Sequence, residues 1–141
     1  MPADPDRGAS DAASDAGIEA GIVTATADRL TQFYVAAFAM TIEHRFTFPQ
    51  GIVVRLRRGP ARLKLYQPAE GLDPEPTPEP WFRDTGFAYA AWHTTDVAAT
   101  VDAVTAAGGT VTTAPTAHRP GALYALVRDP EGNTWELLSE A

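Results

Sequence analysis

The chain contains no cysteine, which excludes disulfides, thiolate zinc sites and cysteine nucleophiles. It contains one lysine, Lys64; the other basic residues are arginine, so any side-chain amine chemistry rests on that position. Positive charge is scarce: 11 Lys and Arg stand against 18 Asp and Glu, a formal net charge of −7. Nucleic-acid binders carry a basic face, so that class of partner is not expected. No apolar run approaches the ~20 residues that span a bilayer, and no membrane partner is expected. Residues 1–17 are rich in Asp, Ala, Ser and Gly and lack the apolar stretch of a leader. They read as a disordered tail on a cytoplasmic protein. The remaining length and the 45% hydrophobic content suit one domain, 18–141, with a single core.

That domain reads as a repeat. Asp28 is placed as a helix N-cap, followed by Leu30, Phe33, Tyr34, Ala37 and Phe38 at helical spacing. Asp96 is placed as a second N-cap, with Val97, Val101 and Val104 as an apolar stripe and Gly108-Gly109 as the stop. Strand-like stretches precede the helices at 21–26 and 87–94. Three more follow each helix, at 41–48, 52–57 and 62–67, then at 110–113, 123–127 and 134–138. Turn signals separate them, among them Pro49-Gln50-Gly51 and the run from Asp129 to Asn133. A self-similar period near 70 residues implies two copies of one supersecondary unit. The expected fold is α+β: two β-α-β-β-β modules, about 18–68 and 86–140, forming curved mixed sheets around one cavity. The linker 69–85 is proline-rich and expected to be extended and stiff. Within it, Trp81 and Phe82 have no assigned role.

Strand alternation separates the faces. Leu63 and Leu65 share one face of the fourth strand; Arg62, Lys64 and Tyr66 share the other. Trp135 and Leu137 share one face of the last strand; Thr134, Glu136 and Leu138 share the other. The helices must cover the Leu and Trp face, which leaves Lys64, Tyr66 and Glu136 on the concave side. Tyr89 and His93 share one face of the fifth strand. A concave face carrying Lys, Tyr, Glu and His suits a small-molecule cavity.

The segment Val127-Arg128-Asp129-Pro130-Glu131-Gly132-Asn133-Thr134-Trp135-Glu136-Leu137, with Asp28 and Phe33-Tyr34 in the first helix and Asp96-Val97 opening the second, resembles the vicinal oxygen chelate superfamily. That group includes glyoxalase I, bleomycin-resistance proteins, extradiol dioxygenases and methylmalonyl-CoA epimerase. The resemblance covers about 18–140 and speaks for fold rather than reaction. Metal-dependent members hold their ion with one residue from the first strand and one from the last strand of each half. Counted from the two caps and the last hairpins, those positions fall here on Gly21, Tyr89, Lys64 and Glu136. Only Glu136 is a usual ligand, so the resemblance implies that the metal site is lost and that no metal or cofactor is held. A slip of two residues puts Glu19 in place of Gly21.

Two functions compete. One is a metal-independent binding protein of the glyoxalase/bleomycin-resistance type for a small organic molecule, drug or metabolite. Its ligand-binding residues would be Lys64, Tyr66, Tyr89, His93 and Glu136. The other is an enzyme of the same superfamily (an isomerase, cyclase, lyase or dioxygenase) with Glu136 as catalytic base or metal ligand. Lys64 and Glu136 are also expected to pair across the cavity. A homodimer is expected, because members of the fold pair their halves within one chain or swap them between two.

Overall fold

A computed structural model describes residues 17–73 and 75–140. The expected tail therefore lies, but for Gly17, outside the described residues. The first module is β1 (Glu19–Val23), α1 (Ala27–Ala37), β2 (Thr41–Phe48), β3 (Gly51–Arg58) and β4 (Ala61–Pro68). The second is β5 (Tyr89–His93), α2 (Val97–Ala106), β6 (Thr110–Arg119), β7 (Ala122–Arg128) and β8 (Thr134–Leu138). Each module forms a four-stranded mixed sheet, β1-β4-β3-β2 in one and β5-β8-β7-β6 in the other. In each, the first strand runs parallel to the last and the other pairs are antiparallel. The fold class is as the repeat implies, but no ladder joins the two sheets among the described residues, so they do not close around a single space.

Both helices cover the face on which alternation placed the Leu and Trp residues. Leu63, Leu65, Trp135 and Leu137 are buried with Leu30, Phe33, Tyr34 and Phe38 of the first helical segment and Val97 and Val104 of the second, in one core. Aromatic contacts carry that core across the modules. Phe38 stacks on Trp92 with ring centroids 4.7 Å apart and meets Trp135 edge-on at 5.1 Å.

Polar contacts finish the junction, and they explain the most distinctive stretch of sequence. Asp129 is buried. It accepts hydrogen bonds from the amides of Glu131 and Asn133 and from the Asn133 side chain, which shapes the turn between β7 and β8. It also accepts from the Tyr34 hydroxyl of the first module, and that hydroxyl in turn accepts from Trp135 Nε1 at 2.9 Å. Burial, then the Asp129 charge, push the Tyr34 phenol well above its usual range, so it remains a proton donor. Glu131 accepts from Thr24 and Thr26 at 2.7 and 2.8 Å. The linker docks here too. Thr77 donates to the Gly132 carbonyl, and Arg128 reaches Pro78 and Glu79. Gly132 has φ +90°, and the Thr77 hydroxyl occupies the space a Cβ would need.

Two expectations are corrected. Asp28 is not the first N-cap. That position is Thr26, and the free amide of Ala27 is taken by Gln67 Oε1 at 2.8 Å. Asp28 sits inside the first turn, where its charge suits the helix dipole, and pairs with Arg45. Asp96 is a cap as expected, accepting from the Ala99 amide at 2.9 Å. The sixth strand runs on past Thr113 to Arg119 and absorbs the extra length through three register shifts.

Candidate functional site

With the caps at Thr26 and Asp96, the modules are related by 96 − 26 = 70 residues at this point. The strand register agrees. Gly21 lies beside Lys64 in the first sheet, and Ala91 lies beside Glu136 in the second. The counterpart of Gly21 is therefore Ala91, and Tyr89 corresponds to Glu19. The mapping that paired Gly21 with Tyr89 followed from the mistaken cap. The positions that would converge on an ion are thus Gly21, Lys64, Ala91 and Glu136: a single carboxylate, an ammonium, and two side chains without a donor. A hard cation needs several oxygen or imidazole ligands, and this set does not supply them. Among the described residues no group of three His, Asp or Glu side chains is placed to hold a metal.

The sequence-derived residues divide between two faces. Lys64 and Tyr66 lie on the open face of the first sheet, two residues apart on β4. Tyr66 donates to the Gln50 carbonyl at 3.1 Å and stacks on Phe48. Tyr89, His93 and Glu136 lie on the open face of the second. Glu136 is half-buried, with Ala91 on one side and Leu126 on the other, and Thr134 and Leu138 above and below it on its own strand. Among the described residues it has no ion-pair or hydrogen-bond partner, so the expected Lys64–Glu136 pair does not form within the chain. Tyr89 meets Trp81 edge-on at 5.2 Å, and Trp81 meets Phe82 at 5.3 Å. The linker thus lays an aromatic edge against the same face. His93 ends β5 with its ring exposed. An open groove of about 730 Å³ runs from His93, Ala91 and Leu138 to the β3–β4 turn at Arg58 and Pro60, where the two modules come side by side.

Arg55 and Arg57 of β3 carry no role in the sequence pattern but face this site. Arg55 stands directly opposite Lys64 on β3 and binds Glu19 through Nε and Nη2 at 3.2 and 3.1 Å. The hydrogen bond from Arg55 chiefly holds the Glu19 carboxyl below its usual range, with the charges of Lys64 and Arg62 adding to it. The period-two spacing of Arg55 and Arg57 was a usable signal, but which residue each one faces depends on strand pairing.

Residues 18–137 match the Glyoxalase/Bleomycin resistance protein/Dioxygenase superfamily, and the chain belongs to that family. Among solved structures it resembles glyoxalase I from Zea mays, at 24% identity and TM-score 0.73, over 87% of this chain and 44% of that one. The chain thus spans less than half of the maize protein. It also resembles a glyoxalase family protein from Bacillus cereus, at 15% identity and TM-score 0.76, over 88% and 93% of the two chains. TioX from Micromonospora sp. ML1 is similar at 19% identity and TM-score 0.65, over 89% and 99%. At these identities the likeness is one of fold. No curated protein matches by sequence. No helix among the described residues is long and apolar enough to cross a membrane.

Proposed function

We propose that the protein binds a small organic molecule, a drug or a metabolite, without a metal, on the open sheet faces that carry Lys64, Tyr66, Tyr89, His93 and Glu136. The observation that carries this reading is the donor set at the four central strand positions. Gly21 and Ala91 offer space, Lys64 and Glu136 offer opposite charges, and none of the combinations makes a cation cage. Aromatic rings border both faces, as ligand sites commonly require. The family, whose description includes bleomycin-resistance proteins, agrees with a binding role.

A second reading rests on Glu136 alone. A half-buried carboxylate flanked by Ala91, Leu126 and Leu138, with no partner of its own among the described residues, would serve as the general base of a metal-free isomerase, cyclase or lyase. The binding partner we add is a second copy of the chain, which would cover the open strand edges.

Elemental analysis of purified protein tests the first reading. Zinc, nickel, iron and manganese should each fall well below one per chain, and chelator should change neither melting temperature nor ligand binding. Stoichiometric metal bound through Glu136, with His93 or Glu19 completing the site, would overturn it. Replacing Glu136 by Gln should weaken binding in a carrier. In an enzyme, the same change should abolish turnover while leaving binding largely intact.

A further inference from the structure

The open face of the first sheet carries a charge arrangement that this chain leaves unbalanced. Strands β3 and β4 set Arg55 directly opposite Lys64, and Arg57 directly opposite Arg62. Like charges in direct opposition destabilise a ladder. Two carboxylates answer the block. Glu19 engages Arg55, and Glu43 lies 3.7 Å from Arg57. Among the described residues, no carboxylate pairs with Lys64 or Arg62. Glu19 lies beside Arg62 in the β1–β4 register and also feels the charges of Lys64 and Arg62, so among the described residues four cations on this face meet two carboxylates, a positive excess in a chain whose net charge is −7.

The same face continues into an apolar half. Tyr66 follows Lys64 along β4, Val53 lies opposite Tyr66, and Phe46 lies beyond Val53 on β2. Phe48 stacks on Tyr66 with ring centroids 6.3 Å apart and planes 7° from parallel. Phe46 is 50% exposed and Val23, beside Tyr66 on β1, is 61% exposed, so these surfaces are not consumed by the core. Gly21 leaves open space next to Lys64, since a Cβ there would touch nothing within 4 Å.

We propose that this face binds an organic acid with a flat apolar body. Its anionic group is taken by Lys64 and Arg62, and its ring lies against Tyr66, Phe46 and Phe48. The proposal rests on the small-molecule reading above and names its ligand class. A cationic ligand would meet repulsion at Lys64 and Arg62. A neutral one would leave both charges unanswered. A bare inorganic anion would satisfy the charges and leave the aromatic half exposed to water.

The test uses a matched pair of probes, naphthoate and its uncharged analogue naphthamide, titrated calorimetrically into the full-length protein and into Lys64→Met, Arg62→Met and Arg29→Met. Circular dichroism melting confirms that each variant folds; both cations are at least partly exposed, and the Met side chain keeps the apolar stem of Lys64. Naphthoate should bind about tenfold more tightly than naphthamide, the scale of a hydrogen bond to a charged group. Added salt should weaken only naphthoate. Lys64→Met and Arg62→Met should each erase most of that preference, and Arg29→Met, which removes an exposed cation from the first helix, should preserve it. Equal affinity for both probes, or a preference that survives both cation replacements, overturns the organic-acid proposal and leaves the small-molecule reading standing. No binding of either probe at millimolar concentration counts against both. If instead Glu136 of a second copy fills the cationic half, wild type should show no naphthoate preference, and Lys64→Met should weaken self-association. That result also overturns the proposal.

Discussion

Lys64 and Glu136 occupy the same place in the two modules. Each sits on the open face of its module's last strand, each is flanked by the smallest residue of the adjoining first strand, Gly21 or Ala91, and each has a buried hydrophobic residue on either side of it in sequence. One module therefore presents an ammonium where the other presents a carboxylate. Lys64 has three further cations around it; Glu136 has Leu126 and Ala91. The repeat has kept its backbone and diverged in charge at this pair of equivalent positions.

Replacing Glu136 by Leu should separate function from stability. The carboxylate is partly desolvated among apolar neighbours and has no partner among the described residues, a placement that costs folding free energy. The leucine variant should melt at the same temperature or higher, while ligand binding or turnover is lost. Calorimetry of both variants and a binding titration check this. A drop of several degrees would show that Glu136 is there to hold the fold.

Replacing Tyr34 by Phe should cost about 1–3 kcal/mol at neutral pH, because buried Asp129 loses a donor and Trp135 Nε1 loses an acceptor. The difference should depend on pH. The phenol is held well above its ordinary 10.0 in the folded state, by burial first and by Asp129 second. Its contribution is therefore complete below pH ~10 and is lost as pH rises through the folded value. Urea titrations of both proteins from neutral to alkaline pH should show the gap narrowing only at the alkaline end. A constant gap would mean the phenol does not titrate against folding.

Replacing Phe38 by Ala should destabilise by about 3–5 kcal/mol. Phe38 is 1% exposed and is packed on Trp92 and Trp135 of the other module. Because the ring belongs to a core common to both sheets, fluorescence and circular dichroism should still report one transition. Two separated transitions would show that the modules fold independently.

Periodicity exposed the architecture for a physical reason. Two amphipathic helices and alternating strands must bury Leu63, Leu65, Trp135 and Leu137 together, so the face assignment of Lys64 and Glu136 follows from alternation alone. The cap at Thr26 was hidden because no side chain of its own makes the capping bond. Gln67, forty positions later than Ala27, makes the local contact instead, and Asp28 is a better capper by residue type. That error moved the comparison of the first strands by two residues and put Tyr89 where Ala91 belongs. The meaning of the signature around Asp129 was also out of reach. Its partner, Tyr34, lies in the other module, and no local pattern announces a contact across 95 positions. The cationic block on β3 and β4 was half visible: Arg62 and Lys64 shared a strand face, but Arg55 joined them only through pairing.

The edges of the two sheets argue for a homodimer. Among the described residues, strands β1 and β5 each have a ladder partner on one side only, and open edges invite pairing with another chain. The side chains nearby are not those of a blunted edge. Val23 at the end of β1 is 61% exposed and Tyr89 at the start of β5 is 46% exposed, while Ile42, Phe46 and Phe48 on the edge strand β2 are also exposed. Exposed apolar side chains such as Val23 and Ile42 leave these edge strands open to pairing. Sedimentation equilibrium should therefore return about twice the 15.0 kDa chain mass. Val23→Lys should shift the equilibrium toward monomer without lowering the melting temperature of the isolated fold, since the residue is largely exposed and lies outside the core. A mass near 15 kDa that does not change with concentration would count against the dimer and would leave those edges to be covered by the ligand or by another protein.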